Sequence, residues 1–197
     1  MLEKLSSILV QETLLPVNEK GMLGPELIIK EDDPNARLDK VVICGLTCSF
    51  VAVKHDYFAE VFPYFKKSEG MVHRACDGIV LLLIEGVLYV LLCELKSTKP
   101  KRKRKYEPKM LNSYIFVQYL LATMKMLYGY SVEKVRFLNI LFTDARDQKQ
   151  GTGIGCCAQT FFEEKFDDRL NGPCLHVPLI QNNIHINLLL TRLHKSI

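Results

Sequence analysis

Asp77, Glu94 and Lys96 are the residues whose types and spacing offer this chain a chemistry. They flank its longest apolar stretch, Ile79 to Cys93 (IVLLLIEGVLYVLLC), which Glu85-Gly86 interrupts at the middle. That stretch is shorter than the ~20 residues a bilayer requires. Two apolar runs around a turn pair instead predict two buried strands. With Glu85-Gly86 as a two-residue loop, Ile84 faces Val87, and directly opposed residues have numbers summing to 171. Asp77 then lies opposite Glu94, and Lys96, two residues on, shares the face of Glu94. Like charges opposed in a sheet are destabilising, and two carboxylates with Cβ atoms ~5 Å apart call for a cation. Mg²⁺ suits such a pair, because it takes oxygen ligands and often uses one or two carboxylates plus water and substrate phosphate. A lysine beside it orients or helps deprotonate an attacking water, as metal-assisted phosphodiester hydrolysis requires. A slip of one residue in register would instead carry Asp77 to the other face and leave Glu94 and Lys96 as a solvated strand-end pair.

Asp77, sixteen intervening residues and then Glu94-Leu95-Lys96 resembles the catalytic signature of the PD-(D/E)xK nuclease superfamily. The resemblance covers roughly residues 2 to 143. It implies an α/β fold with a restriction-endonuclease-like core, a mixed central sheet flanked by helices in the order α-β-β-β-α-β. It also implies Asp77, Glu94 and the Leu95 backbone carbonyl as ligands of Mg²⁺ or Mn²⁺, with Lys96 on the nucleophilic water. Cys76 stands where the signature has Pro, a position that varies widely in the superfamily.

Many members add an acidic residue from the first helix. Glu12 falls on the stripe of Leu5, Ile8 and Leu9, pointing inward. An inward carboxylate needs a partner, such as the metal; a helix-end glutamate reaching solvent is the plainer reading. Glu26 is the rival if the first helix begins after Gly24-Pro25. On the helix after the hairpin, Gln118 lies within a stripe of Leu111, Tyr114, Ile115, Leu121 and Ala122. A glutamine on a buried face has a hydrogen-bonding role, at the site or on a neighbouring strand's backbone. RecB-like members carry a Gln there with a Tyr four residues on; here Tyr119 follows at once and position 122 is Ala, so that match is partial. Lys109 and the N–H groups at the start of this helix are placed to meet a phosphate.

Charge is distributed unevenly. The chain has 26 Lys and Arg against 22 Asp and Glu, a net +4, and seven of those bases lie in Lys96 to Lys105 (KSTKPKRKRK) with no acid. Removing them leaves 19 bases against 22 acids, or −3. One concentrated basic segment points to a local contact with a polyanion rather than a coat of positive charge. Lys99, Lys101, Arg102, Lys103, Arg104 and Lys105 are therefore expected to hold the phosphate backbone. The same string also reads as a nuclear import signal.

These groups need elements to position them. The spacing predicts a helix over residues 2 to 15, one or two strands in Lys40 to Lys54, and a short helix at Tyr57 to Lys66. After the hairpin come a long helix at Pro108 to Tyr128, a buried strand at Val135 to Thr143 and a strand at Cys174 to Ile180. Gly151 to Gly155 reads as a loop, since no Lys-Ser/Thr follows it. Seven cysteines and no visible signal peptide indicate an intracellular, reducing compartment, cytoplasm or nucleus. Cys44 and Cys48 lack the second pair a structural zinc site shows. At 48% hydrophobic and 24% charged, the composition excludes a disordered chain.

The expectation is thus one nuclease-like domain over residues 1–197, with a basic segment at 96–105 and no membrane contact. It would hydrolyse phosphodiester bonds with Mg²⁺ or Mn²⁺, in DNA more than RNA, and cutting both strands of a duplex would favour a homodimer. An inactive nuclease-like module that binds nucleic acid or a protein through the basic segment is the alternative.

Overall fold

The computed structural model describes residues 1–31, 33–55, 72–97, 106–145, 162–164 and 174–195. Leu2–Ile8 forms helix α1, shorter than expected. The chain then turns extended at Leu9, with a 3-10 turn at Gln11–Thr13. Leu15 donates its N–H to Ala52 and Lys54 donates to Thr13, so this segment's backbone pairs with a strand instead of continuing the helix. Next come β1 (Val17–Asn18), β2 (Glu26–Lys30), β3 (Lys40–Cys44), β4 (Ser49–Val53), β5 (Gly78–Ile84) and β6 (Val87–Lys96). Helix α2 (Glu107–Tyr128) leads to β7 (Lys134–Asp144), β8 (Phe162–Glu164), β9 (Cys174–Leu179), β10 (Asn183–His185) and helix α3 (Ile186–Lys195).

The protein is mixed α/β, but the single central sheet expected from sequence is replaced by two mixed sheets. One has six strands in the order β4-β5-β6-β7-β9-β8 and the other four in the order β1-β2-β3-β10. The order α-β-β-β-α-β is present as α1-β4-β5-β6-α2-β7, with β1 to β3 intervening. Lys40 to Lys54 gives two strands that part company. β3 pairs β2 and β10, whereas β4 pairs β5.

The hairpin has the register that its turn dictates. Ile84 pairs Val87 and the ladder runs to Gly78 with Cys93. Glu85 at φ 49 and Gly86 at φ 79 both lie in the left-handed region, the requirement of a two-residue type I′ loop. β6 then pairs β7 in parallel, with α2 as the crossover.

Both faces of this sheet are buried. Ile79, Leu81, Val90, Leu92 and Phe137 pack with Leu2 and Leu5 of α1 and with Met110, Phe116, Val117 and Leu120 of α2. On the reverse, Val80, Leu82, Leu91, Leu95, Ile140 and Phe142 pack against Leu27, Ile29, Val41 and Ile43 of the smaller sheet. Strands covered on both faces read as continuous apolar runs, which is why β5 and β6 show no alternation. Each such side chain contributes about 1.5–3 kcal/mol of burial.

The inward face of α2 differs from the expected stripe. Met110, Ser113, Phe116, Val117, Leu120 and Met124 are buried, whereas Ile115 and Tyr119 are exposed. A helix apolar on most of its sides lets periodicity choose no face. Among the described residues no helix is long and apolar enough to cross a membrane. Cys44, Cys48, Cys76, Cys93 and Cys174 are free thiols. The expected helix at Tyr57 to Lys66, the basic residues Lys99 to Lys105 and the loop Gly151 to Gly155 lie outside the described residues.

Candidate metal centre

Glu94 and Lys96 end β6, and the residue before β5 is Asp77. The hairpin register carries Asp77 beside Glu94 on the face that α2 covers. The pairing is fixed by a backbone contact, the Leu95 N–H donating to Asp77 Oδ2 at 2.6 Å. Glu94 is fully buried and Asp77 7% exposed. Ionised carboxylates at such depth require positive partners, and two lysines supply them. Lys96 Nζ lies 2.6 Å from Glu94 Oε1. Lys109 Nζ, from the first turn of α2, lies 2.7 Å from the same oxygen and 3.5 Å from Asp77 Oδ1. Glu94 Oε2 is buried with no hydrogen-bond partner.

A third carboxylate arrives from the smaller sheet. Glu31, just beyond β2, places Oε2 3.6 Å from Lys96 Nζ, and its N–H donates to the Asp39 carbonyl. Gly78 eases this approach. A Cβ there would lie 3.1 Å from side-chain methyls of both Ile29 and Leu15, so any other residue beside Asp77 would oblige them to shift. Glu31 escapes a sequence reading because it sits beside the turn-forming Asp32 to Asn35, where an acid is unremarkable.

The electrostatics of the site are set first by burial and then by the neighbouring charges. Burial, then the charge of Glu94, push Asp77 up to about 7, against the opposing pull of Lys109, the Leu95 N–H and Lys96. For Lys109, burial disfavours the ammonium, but Asp77 and Glu94 outweigh it and hold the group above the ordinary lysine range. Lys109 thus gains more from the two carboxylates than burial costs it, while its pull on Asp77 does not overcome the burial of that carboxyl.

Helix α2 also grips the chain that leads into Asp77. Ser113 Oγ accepts the Cys76 N–H at 3.1 Å and is hydrogen-bonded to His55 Nδ1 at 2.7 Å. Asn112 Nδ2 donates to the Arg74 carbonyl at 2.9 Å. Residues 109, 112 and 113 are one helical turn apart and so reach the same segment. His55 stacks on Phe116 at 4.6 Å between centroids, and burial lowers its pKa to about 4. In the sequence His55 is a candidate accessory polar group whose plainer reading is a loop or strand-end residue; a serine on an otherwise apolar helix face was the available signal for Ser113. Farther along the same face, Thr143 of β7 is hydrogen-bonded to His176 of β9 at 2.8 Å.

Asp77, Glu94, Lys96 and Lys109 are thus brought together, while two candidates stand apart. Gln118 is exposed on α2, not buried, because the helix turns Ser113, Val117 and Leu120 inward. Glu12 is exposed in the 3-10 turn, since α1 ends before it. The rival Glu26 lies on β2 and accepts a hydrogen bond from Asn18. Lys99, Lys101, Arg102, Lys103, Arg104 and Lys105 lie outside the described residues.

The donor set suits a hard divalent cation. It is all oxygen, it includes a buried carboxylate oxygen without a partner, and it leaves coordination positions for water and phosphate, as Mg²⁺ and Mn²⁺ prefer. No group of three or more His, Cys, Asp or Glu able to hold a metal occurs among the described residues, so the pair depends on those outside ligands. No protein-family model, no curated protein and no solved structure matches this chain.

Proposed function

We propose that this protein is a Mg²⁺- or Mn²⁺-dependent nuclease of the PD-(D/E)xK type, hydrolysing phosphodiester bonds with DNA as its preferred substrate. One observation carries the reading: Asp77 and Glu94 meet across a hairpin of fixed register, with Lys96 on the same strand and face, and Glu94 Oε2 is buried there without a hydrogen-bond partner. The sequence α1-β4-β5-β6-α2-β7 supports the restriction-endonuclease-like core. Asp77, Glu94 and the Leu95 carbonyl would hold the cation, which when bound supplies a polarised water and charge stabilisation on the phosphate. Lys96, anchored between Glu94 and Glu31, orients the attacking water and offsets charge on the phosphate oxygens. Ser113 and Asn112 hold the segment before Asp77 so that its carboxylate keeps its aim. Water attacks phosphorus in line and gives up a proton to solvent, the opposite P–O bond breaks, and the departing oxygen takes a proton from solvent. Lys99 to Lys105, leaving the same strand, would bind the phosphate backbone.

A second reading has an observation of its own. Lys96 and Lys109 both sit on Glu94 Oε1, an internal neutralisation that an inactive nucleic-acid-binding module would also show. The test is incubation with plasmid, single-stranded DNA and RNA in Mg²⁺, Mn²⁺ or chelator. Metal-dependent degradation that Asp77→Ala, Glu94→Ala and Lys96→Ala abolish is expected of the nuclease. Salt-sensitive binding without cleavage in either metal would establish the binding module instead. Normal turnover by Asp77→Ala or Lys96→Ala would refute the catalytic assignment.

A further inference from the structure

Lys109 has no place in the Asp77 and Glu94-Leu95-Lys96 signature, yet its ammonium touches both carboxylates, 2.7 Å from Glu94 Oε1 and 3.5 Å from Asp77 Oδ1. A divalent cation shared by Asp77 and Glu94 needs the same oxygen atoms, and two cations cannot occupy one site between them. We propose, resting on the metal-dependent reading above, that Lys109 is an internal competitor of the metal: the cation binds only by displacing the Lys109 ammonium from Asp77 and Glu94.

The two lysines are not equivalent in this respect. Lys96 is held from a second side by Glu31, and it rides on an interior strand of the six-stranded sheet. Lys109 has only Asp77 and Glu94 as ion-pair partners among the described residues. It projects from the first turn of α2, and its side chain, 23% exposed against 27% for Lys96, has solvent to swing into; what separates the two lysines is the second hold of Glu31 on Lys96 and the element each one rides on. Lys109 therefore satisfies two buried carboxylates when no metal is supplied and yields when one is. The consequence is a threshold, since metal affinity is reduced by the work of moving a bound ammonium.

Two measurements on the full chain without nucleic acid test this. In Mn²⁺ titrations followed by electron paramagnetic resonance, Lys109→Met should bind Mn²⁺ at least tenfold more tightly than the parent. Lys109→Arg, which keeps the charge, should stay within about threefold of the parent, a difference small against that tenfold. Lys109→Gln retains a hydrogen-bond donor for Glu94 and carries the same expectation as Lys109→Met should the latter not fold. In acetylation mapping by mass spectrometry, Mg²⁺ should accelerate modification of Lys109 severalfold in the parent protein and leave Lys96 unchanged. Parent protein that binds Mn²⁺, with neutral variants binding no more tightly, overturns the competition and leaves the metal centre standing. Lys109 labelling insensitive to Mg²⁺ in a protein that binds the metal does the same. Failure of the parent and of every folded variant to bind Mn²⁺ at millimolar concentration overturns the metal centre itself, and the competition with it.

Discussion

Exchanging His55 for asparagine removes a titration that opposes folding in mild acid. His55 is 3% exposed, stacked on Phe116 and hydrogen-bonded through Nδ1 to Ser113. Burial lowers its pKa from 6.5 to about 4, so the native state keeps the ring neutral where the unfolded chain protonates it. For a base with a depressed pKa, the unfolded state binds the extra proton, and stability falls as pH drops from 6.5 toward 4. The contribution is close to zero at pH 7 and amounts to about 2 kcal/mol of lost stability at pH 5. Asn places an amide near the position of Nδ1 and cannot titrate. It forfeits the stack on Phe116, a cost independent of pH. The assay is urea unfolding in chelator at pH 7 and pH 5. The stability difference between parent and His55→Asn should shift by about 2 kcal/mol in favour of the variant on going to pH 5. A shift below about 0.5 kcal/mol would mean that His55 protonates freely in the folded protein, and the burial argument would be refuted.

Asp77 acts with the opposite sign. Its folded pKa of about 7 lies above the ordinary 3.8, so the stability from its protonated form is complete below pH 3.8 and is lost as pH rises through 7. In chelator, Asp77→Asn should therefore gain on the parent by about 1.4 kcal/mol per pH unit over most of that window, measured by the same urea series; parallel profiles would contradict the raised pKa. Since His55 and Asp77 have opposed slopes between pH 4 and 6.5, their contributions largely cancel in the parent, and each variant should unmask the other. Ser113→Ala strands the buried Cys76 N–H and should cost about 1–3 kcal/mol by equilibrium unfolding, with slower cleavage because the segment before Asp77 loses its tether. Undiminished stability would show that the Ser113 contact is dispensable.

The legible part of the site was the part written in short-range geometry. A two-residue loop at Glu85-Gly86 fixes every pairing of the hairpin, and period-two alternation then puts Asp77, Glu94 and Lys96 on one face. Register and chemistry followed from one stretch of chain. The face of α2 was not legible in this way, because Leu111, Ile115 and Tyr119 are as apolar as the residues that turn inward. That ambiguity put Gln118 on the wrong side and hid Ser113. The second sheet depends on contacts remote in sequence: β10 pairs β3 in parallel, and no local pattern announces a strand that returns across some 140 residues to a neighbour. Glu31 reaches Lys96 only because that sheet docks, so its role was beyond local reasoning. Lys109 was recognised as a helix-start cation; its grip on Asp77 and Glu94 needed the packing of α2 on β6.

β6 lies between β5 and β7, and Leu88 through Leu95 are buried without interruption. Amide hydrogens on such a strand exchange with solvent only when the domain opens as a whole, whereas the first turn of a helix frays. Glu94 thus stands within, and Lys96 at the end of, a strand expected to exchange slowly, and Lys109 on a helix end expected to open more readily. Deuterium uptake should separate them in time, with the strand protected long after Pro108 to Met110 has exchanged at Lys109 and Met110. The fixed carboxylate and the movable ammonium would then owe their difference to the lifetimes of the backbones that carry them.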